Sequence, residues 1–396
     1  MEKVVYLDNN ATTMVDPEVV DAMLPFLSKR YGNPSSMHSF GGDVGRDVVR
    51  AREQVARLLG AEHDYEIVFT GTGTESDNYA IMGTISFYRD RRHIITSRVE
   101  HPAILSLCKK LERDGYRITY VPVDREGNLD VQFLKSSVDD DTAIVSIMYA
   151  NNETGVIFPV EEIGAFLKER GVPFHIDAVQ AAGKIPIDVN KINCDLLSIS
   201  GHKFHAPKGI GALYVRRGTR MRPMMYGGHQ EKGRRPGTEN VPGIIALGKA
   251  AELAMEHLKD DREMQRLRDK LEKGLLAKFG NSHLNGNRDR RVPNTTNIGF
   301  EYIEGEAILL LMNEFGIAAS SGSACSSGSL EPSHVLRAMG VPFTSAHGSI
   351  RFSLSRFSVE EEIDHVLSVM PEVVNRLLEI SPYWDNEKKQ GLPINL

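Results

Sequence analysis

A chain of 396 residues is too long for one small core and long enough for a large domain and a smaller one. Its 41% hydrophobic and 25% charged residues are ordinary for a globular protein, and its net charge of −6 argues against a nucleic-acid binder, because only a local basic patch would offset phosphate repulsion. No run reaches the roughly 18 apolar residues that a bilayer crossing needs, so no membrane span is expected.

Met1 to Asp8 lacks the long apolar stretch of a signal peptide. With three cysteines, too few for a disulfide framework or a paired metal motif, this predicts a reducing, cytoplasmic setting. From about residue 15 to 260, helical periodicity alternates with short β-branched apolar runs. Strands are predicted at 66–70, 93–96, 143–148 and 196–200, with helices at 47–59, 103–114 and 160–170 between them. That alternation belongs to a mostly parallel sheet covered by helices on both faces. From about 243 a long, charged, amphipathic helix is expected to run through 252–279 and bridge to a second part. There 294–300 and 349–354 read as strands and 305–313 as a helix, a smaller α+β domain. The expected division is 15–260 for the large domain, and 1–14 with 261–396 for the small one. Arg288-Asp289-Arg290-Arg291 reads as a solvated loop. The stretch Ser320 to Ser329, with six serines and two glycines in ten residues, cannot pack a core and reads as a mobile loop. The polar tail from Asn386 to Leu396 is expected to fray.

Several residues in this frame are able to carry chemistry. Thr70-Gly71-Thr72-Gly73-Thr74-Glu75-Ser76-Asp77-Asn78 follows a strand and opens a helix expected to begin near Tyr79. Free N–H groups and glycines there suit a phosphate, while Thr and Ser serve equally as plain caps. Neither a Walker A loop nor the Gly-x-Gly-x-x-Gly spacing is present. Asp177 ends an apolar strand, with Gln180 three residues on, where α/β sheets hold ligands or where a carboxylate caps the next helix. Buried, it needs a cationic partner. Lys203, in Ser200-Gly201-His202-Lys203, is a Schiff-base nucleophile if desolvated and an ordinary solvated lysine otherwise. His101, before Pro102, suits stacking on a flat ring, proton relay or capping. Asn151-Asn152-Glu153-Thr154-Gly155 reads most simply as a turn. Arg351, flanked by apolar residues, needs an anionic partner, either a substrate carboxylate or a structural ion pair. Cys108 and Cys194 read as small hydrophobes, whereas Cys325 lies where a thiol is accessible, as a nucleophile or an incidental loop cysteine.

A phosphate cradle, a carboxylate, a Schiff-base lysine and a flat stacking partner are together what pyridoxal phosphate requires. From Tyr6-Leu7-Asp8-Asn9-Asn10-Ala11-Thr12-Thr13 to about Trp384, the sequence closely resembles the cysteine desulfurases of the NifS/IscS type in the class V aminotransferase family. The motifs are Gly32-Asn33-Pro34-Ser35-Ser36, Gly73-Thr74-Glu75-Ser76, Asn151-Asn152-Glu153, His175-Ile176-Asp177-Ala178-Val179-Gln180, Ser200-Gly201-His202-Lys203, Gly237-Thr238 and Ser321-Gly322-Ser323-Ala324-Cys325. The resemblance implies the α/β fold type I of pyridoxal-phosphate enzymes: a large domain with a mostly parallel seven-stranded sheet covered by helices, and a smaller α+β domain carrying the Cys325 loop.

The resemblance also implies site roles. Lys203 would be the Schiff-base lysine and the base for the Cα proton. Asp177 would face the pyridine nitrogen, His101 stack on the ring, Gln180 bond the phenolic oxygen and Asn152 contact the ring side. Gly73, Thr74, Ser200 and His202 would hold the phosphate, joined by Thr238 from the second subunit of a homodimer. Arg351, with Asn152, would bind the substrate carboxylate. The implied reaction takes sulfur from L-cysteine, giving L-alanine and a persulfide on Cys325 for donation to an iron–sulfur scaffold protein. No resident metal is implied; Cys325 would contact an iron–sulfur cluster only transiently. Gly227-Gly228-His229-Gln230-Glu231 and Glu301-Tyr302-Ile303-Glu304-Gly305-Glu306-Ala307 lean towards the nitrogen-fixation branch. Rival readings are another pyridoxal-phosphate aminotransferase or lyase, with no use for Cys325, and a catalytically silent scaffold, which would tolerate loss of Lys203.

Overall fold

Short apolar runs without alternation bury both faces, which is possible only inside a helix-covered sheet. The computed structural model, which describes residues 4–260, 262–321, 332–385, 387–388 and 390–392, places them there. The expectations for Cys325 and for most of its serine–glycine stretch fall outside the described residues. Seven strands lie in the order Ile67–Thr70, Gly211–Val215, Leu196–Ser200, Phe174–Asp177, Thr142–Met148, His93–Ser97, Arg117–Val121. Gly211–Val215 runs antiparallel to both neighbours and every other pairing is parallel. The mostly parallel seven-stranded sheet is therefore as expected.

Six strands end on one edge, at Thr70, Ser97, Val121, Met148, Asp177 and Ser200, and register aligns Ser97 with Val121, Met148 with Asp177 and Asp177 with Ser198. Residues that follow these ends converge outside the carboxyl edge of the sheet, where open α/β sheets bind ligands. The helices Ser39–Leu59 and Val241–His257 pack closely enough that a Cβ on Gly248 would stand 2.7 Å from Ala51 Cα.

A second sheet, antiparallel, has the order Ser320–Ser321, Ser349–Ser353, Thr295–Phe300, Ser282–Leu284. The helices Arg262–Lys278, Gly305–Glu314 and Glu360–Ile380 contribute to its own cluster of buried apolar side chains, which also takes in Val5 and Leu7. No described helix is long and apolar enough to cross a membrane.

Four local expectations are corrected. The helix after Thr70 begins at Gly73, not near Tyr79, because Thr72 caps it by accepting the Glu75 N–H at 3.0 Å. The long bridging helix is two, Val241–His257 and Arg262–Lys278; between them Asp260 takes the Arg262 guanidinium at 2.9 Å, a side-chain partner that competes with helical backbone bonding. Arg291 is not a solvated loop residue: its side chain is 2% exposed and ion-paired with Glu272, while Arg288 to Arg290 do stay exposed. The tail is not wholly frayed, since Gln390–Gly391 pairs with Trp384–Asp385.

Candidate active site

The site is built from the sheet's carboxyl edge upward. Past Ser200 the chain makes a single tight turn, Gly201–Lys203, and the lysine reaches back over the edge. Lys203 Nζ donates to the carbonyls of Asn10 (2.7 Å) and Ala11 (2.8 Å), so the N-terminal segment forms part of its wall. That segment is pinned by Thr13 N donating to His202 O at 2.9 Å and Asn9 N donating to Ser353 O at 3.2 Å. His202 Nδ1 lies 3.2 Å from Thr12 Oγ1, and burial with the charge of Lys203 pulls its pKa down to about 4.

Asp177 is 5% exposed and accepts the Val179 N–H at 2.9 Å, so it terminates its strand with a turn while its carboxyl lines the cleft. Burial raises its pKa, opposed by the Val179 N–H and the Lys203 charge. Beside it Asp77, 2% exposed, is raised further by burial and by the Asp177 charge. Behind them, within the sheet, His175 joins Ser146 Oγ (2.8 Å) to Ser198 Oγ (2.9 Å), and burial drives its pKa down to about 3.

His101 does two things at once. Its Nδ1 accepts the Ala103 N–H at 3.1 Å and caps the helix Pro102–Arg113, while the ring borders the cleft. Burial and the neighbouring Lys203 lower its pKa to about 4, so the imidazole is neutral at ordinary pH. Asn151 is the turn residue of its cluster, accepting N–H bonds from Glu153 and Thr154, each 2.9 Å; Asn152 instead faces the cleft with a buried Oδ1 that has no partner among the described residues. Arg351 has the structural ion pair, because Nη2 pairs with Asp8 Oδ1 at 2.7 Å, and Nη1 donates to Asn152 O at 3.0 Å. Two of its five N–H groups are thereby taken.

Gly73 and Thr74 open a 15-residue helix whose N-terminus points free N–H groups at the cleft. A Cβ at Gly73 would meet Val179 Cγ2 at 2.8 Å and Ser200 Cβ at 3.1 Å, so any larger residue would fill the space over these donors.

One cleft of about 540 Å³ is lined by Gly73, Thr74, His101, Asn152, Asp177, Gln180, Ser200, His202, Lys203 and Arg351. Of the residues singled out from sequence, Thr238 is exposed and does not line this cleft, and Cys325 is outside the described residues. Sequence reasoning gave no role to Asp8, Asn10, Asp77 and Glu153, which also line it. For all four the signal was their place inside stretches already quoted from the sequence.

A family model of class-V aminotransferases matches residues 5–366. The chain belongs to that family, among its NifS/IscS-type cysteine desulfurases. A cysteine desulfurase of Trichormus azollae is 62% identical over 385 residues, covering 97% of this chain and 96% of its own length. The cysteine desulfurase NifS of Azotobacter vinelandii is 57% identical over 381 residues, covering 96% and 95%. A solved structure titled NifS-like protein superposes with a TM-score of 0.89 at 41% identity, covering 95% of this chain and 100% of that one. For a class-V member the fold is therefore the expected one, and its cleft sits at the sheet's carboxyl edge.

Proposed function

We propose that the cleft holds pyridoxal phosphate on Lys203 and that the site residues act in the roles given below. The chain is a cysteine desulfurase of iron–sulfur assembly, releasing L-alanine from L-cysteine. The observation that carries the reading is one cleft into which a lysine, a buried carboxyl, a neutral imidazole, an arginine and a helix N-terminus all converge.

The residues present fit such a cofactor. Gly73 keeps the helix N-terminus clear for a phosphate, and Asn152 Oδ1 and Arg351 Nε are buried polar atoms without partners among the described residues. Ser200 and His202 flank the same end. When bound, the cofactor supplies an electron sink for the charge released at the substrate's Cα. Lys203 takes and returns the Cα proton. Asp177 holds a proton on the pyridine nitrogen as a carboxylate, the form that the Val179 N–H and the Lys203 charge favour against its burial. His101, uncharged, gives the ring a flat face without adding a competing charge. Gln180 faces the phenolic oxygen, and Arg351 orients the substrate carboxylate with its remaining N–H groups.

Cys325 is the proposed sulfur acceptor within the chain. Its thiolate bonds to the substrate's γ-sulfur as the carbon–sulfur bond breaks; the electron pair stays on carbon, which is protonated to give L-alanine, and Cys325 is left as a persulfide. An iron–sulfur scaffold protein is the proposed next acceptor. Thr238, exposed and away from this chain's cleft, is proposed to serve the cleft of a second copy. A solution mass of one chain, 44.0 kDa, overturns that part. The domain division, 15–260 against 1–14 with 261–396, is also proposed, supported by the separate apolar cluster of the second sheet.

Absorbance tests the core of the reading. The purified protein is expected to show a band near the violet edge that Lys203→Ala removes and Cys325→Ala keeps, while Cys325→Ala abolishes alanine release. A wild type without the band overturns the cofactor assignment. Unchanged alanine release in Cys325→Ala overturns the thiol's role.

A further inference from the structure

Lys184 is a buried amine that none of these roles uses. It is 6% exposed, and it does not line the cleft, whereas Gln180, four residues earlier, does. Gly183, at a φ of +73°, bends the chain between them, and a Cβ there would stand 2.7 Å from Phe204 Cβ. The bend returns Lys184 beneath Gln180.

The contacts fix an orientation. Lys184 Nζ donates to Asn10 Oδ1 at 2.9 Å and to Gln180 Oε1, while Gln180 Nε2 donates to Asn10 O at 2.9 Å. A carboxamide shows either its oxygen or its NH2 to a given side, and only its partners decide which. Turned over, the Gln180 oxygen would face the Asn10 carbonyl, two acceptors with no hydrogen between them. Burial and the positive charges of Lys203 and Arg351 push Lys184 well below the usual lysine range, towards a neutral amine whose two N–H groups match its two oxygens.

We propose that Lys184 is a positioning residue: by holding Gln180 Oε1 it keeps Nε2 on the cleft side, with one N–H on Asn10 O and the other for an anionic oxygen of the bound cofactor. This rests on the pyridoxal-phosphate reading above. A donor to that oxygen favours loss of the proton it shares with the Schiff-base nitrogen, so losing the donor raises the pH at which the violet band titrates.

The test is a pH titration of that band in the holoenzyme. In Lys184→Met the midpoint rises by about 1 pH unit, a tenfold shift. kcat for L-cysteine falls about tenfold while KM stays within about threefold. Gln180→Leu gives the same rise, and the double variant rises no further than the larger single, because both changes remove one interaction. If Lys184→Met does not fold, Lys184→Gln, too short to span both oxygens, is read the same way. An unmoved midpoint, or two shifts that simply add, overturns the role of Lys184. A wild type lacking the band overturns the cofactor reading itself, so the two failures are distinguishable.

Discussion

At the scale of single residues, the structure buries acid beside the site that its chemistry does not use. Glu100 is fully buried and its pKa is pushed up to about 8, chiefly by burial, against hydrogen bonds from Ser97 and the Met148 N–H. A carboxyl raised in the fold keeps its proton when the unfolded chain has lost it, so its contribution is present below pH ~4.5 and is lost as pH rises towards 8. Glu100→Gln, which cannot ionise, is therefore expected to flatten the fall in stability across that window. The two proteins should be similar near pH 4 and differ by something on the order of 4 kcal/mol near pH 8, in favour of the variant, by urea unfolding at each pH. Equal slopes would show that Glu100 does not titrate in the fold. A second expectation concerns Arg351, whose planar fork suits a carboxylate as a point charge does not. Arg351→Lys should raise KM for L-cysteine about tenfold, roughly 1.4 kcal/mol, and leave kcat within about threefold. A change confined to kcat would remove it from substrate binding.

Among the elements, the packing of the helices Ser39–Leu59 and Val241–His257 sets two effects against each other at Gly248. Alanine is the better helix former by about 1 kcal/mol. The added Cβ, however, would lie 2.6 Å from Gln54 Oε1 and 2.7 Å from both Ala51 Cα and Ala51 Cβ. Only the glutamine end is flexible, and overpacking against backbone costs about 1–3 kcal/mol. The steric term wins, so Gly248→Ala should lower the thermal midpoint by several degrees, on the order of 4 °C. A raised midpoint would mean that the two helices separate freely. The N-terminal segment acts at the same scale: Leu7 O and Asn9 bond to Ser353 while Thr13 bonds to His202, so seven residues link the second sheet to the lysine turn.

For the whole molecule, the layered sheet was legible in the sequence because β-branched runs such as Thr142–Met148 bury both faces and leave an unbroken apolar record. The start of the helix at Gly73 was obscured because Ser76 and Asp77, polar and inside its first turns, are buried rather than solvated. Most of the cleft was legible as well, since Asp177 ends, and Lys203 and His101 follow, strands that local pattern identifies. Lys184 and Arg291 were not, because nothing near them in sequence tells that Asn10 and Glu272 will meet them from 174 and 19 residues away. Burial of a charge is decided by distant partners, and a window along the chain does not contain them.

Ser320–Ser321 is stitched beside Arg351 and Ile350 and borders the cleft. Cys325 is four residues further along, and four residues of chain stretch at most about 14 Å. That span is a tether anchored at Ser321, beside the mouth of the cleft. On the role proposed for Cys325, collection and handover would share that small neighbourhood. A receiving protein would then have to come to the doorstep of the cleft, because so short a leash would not carry the cargo far.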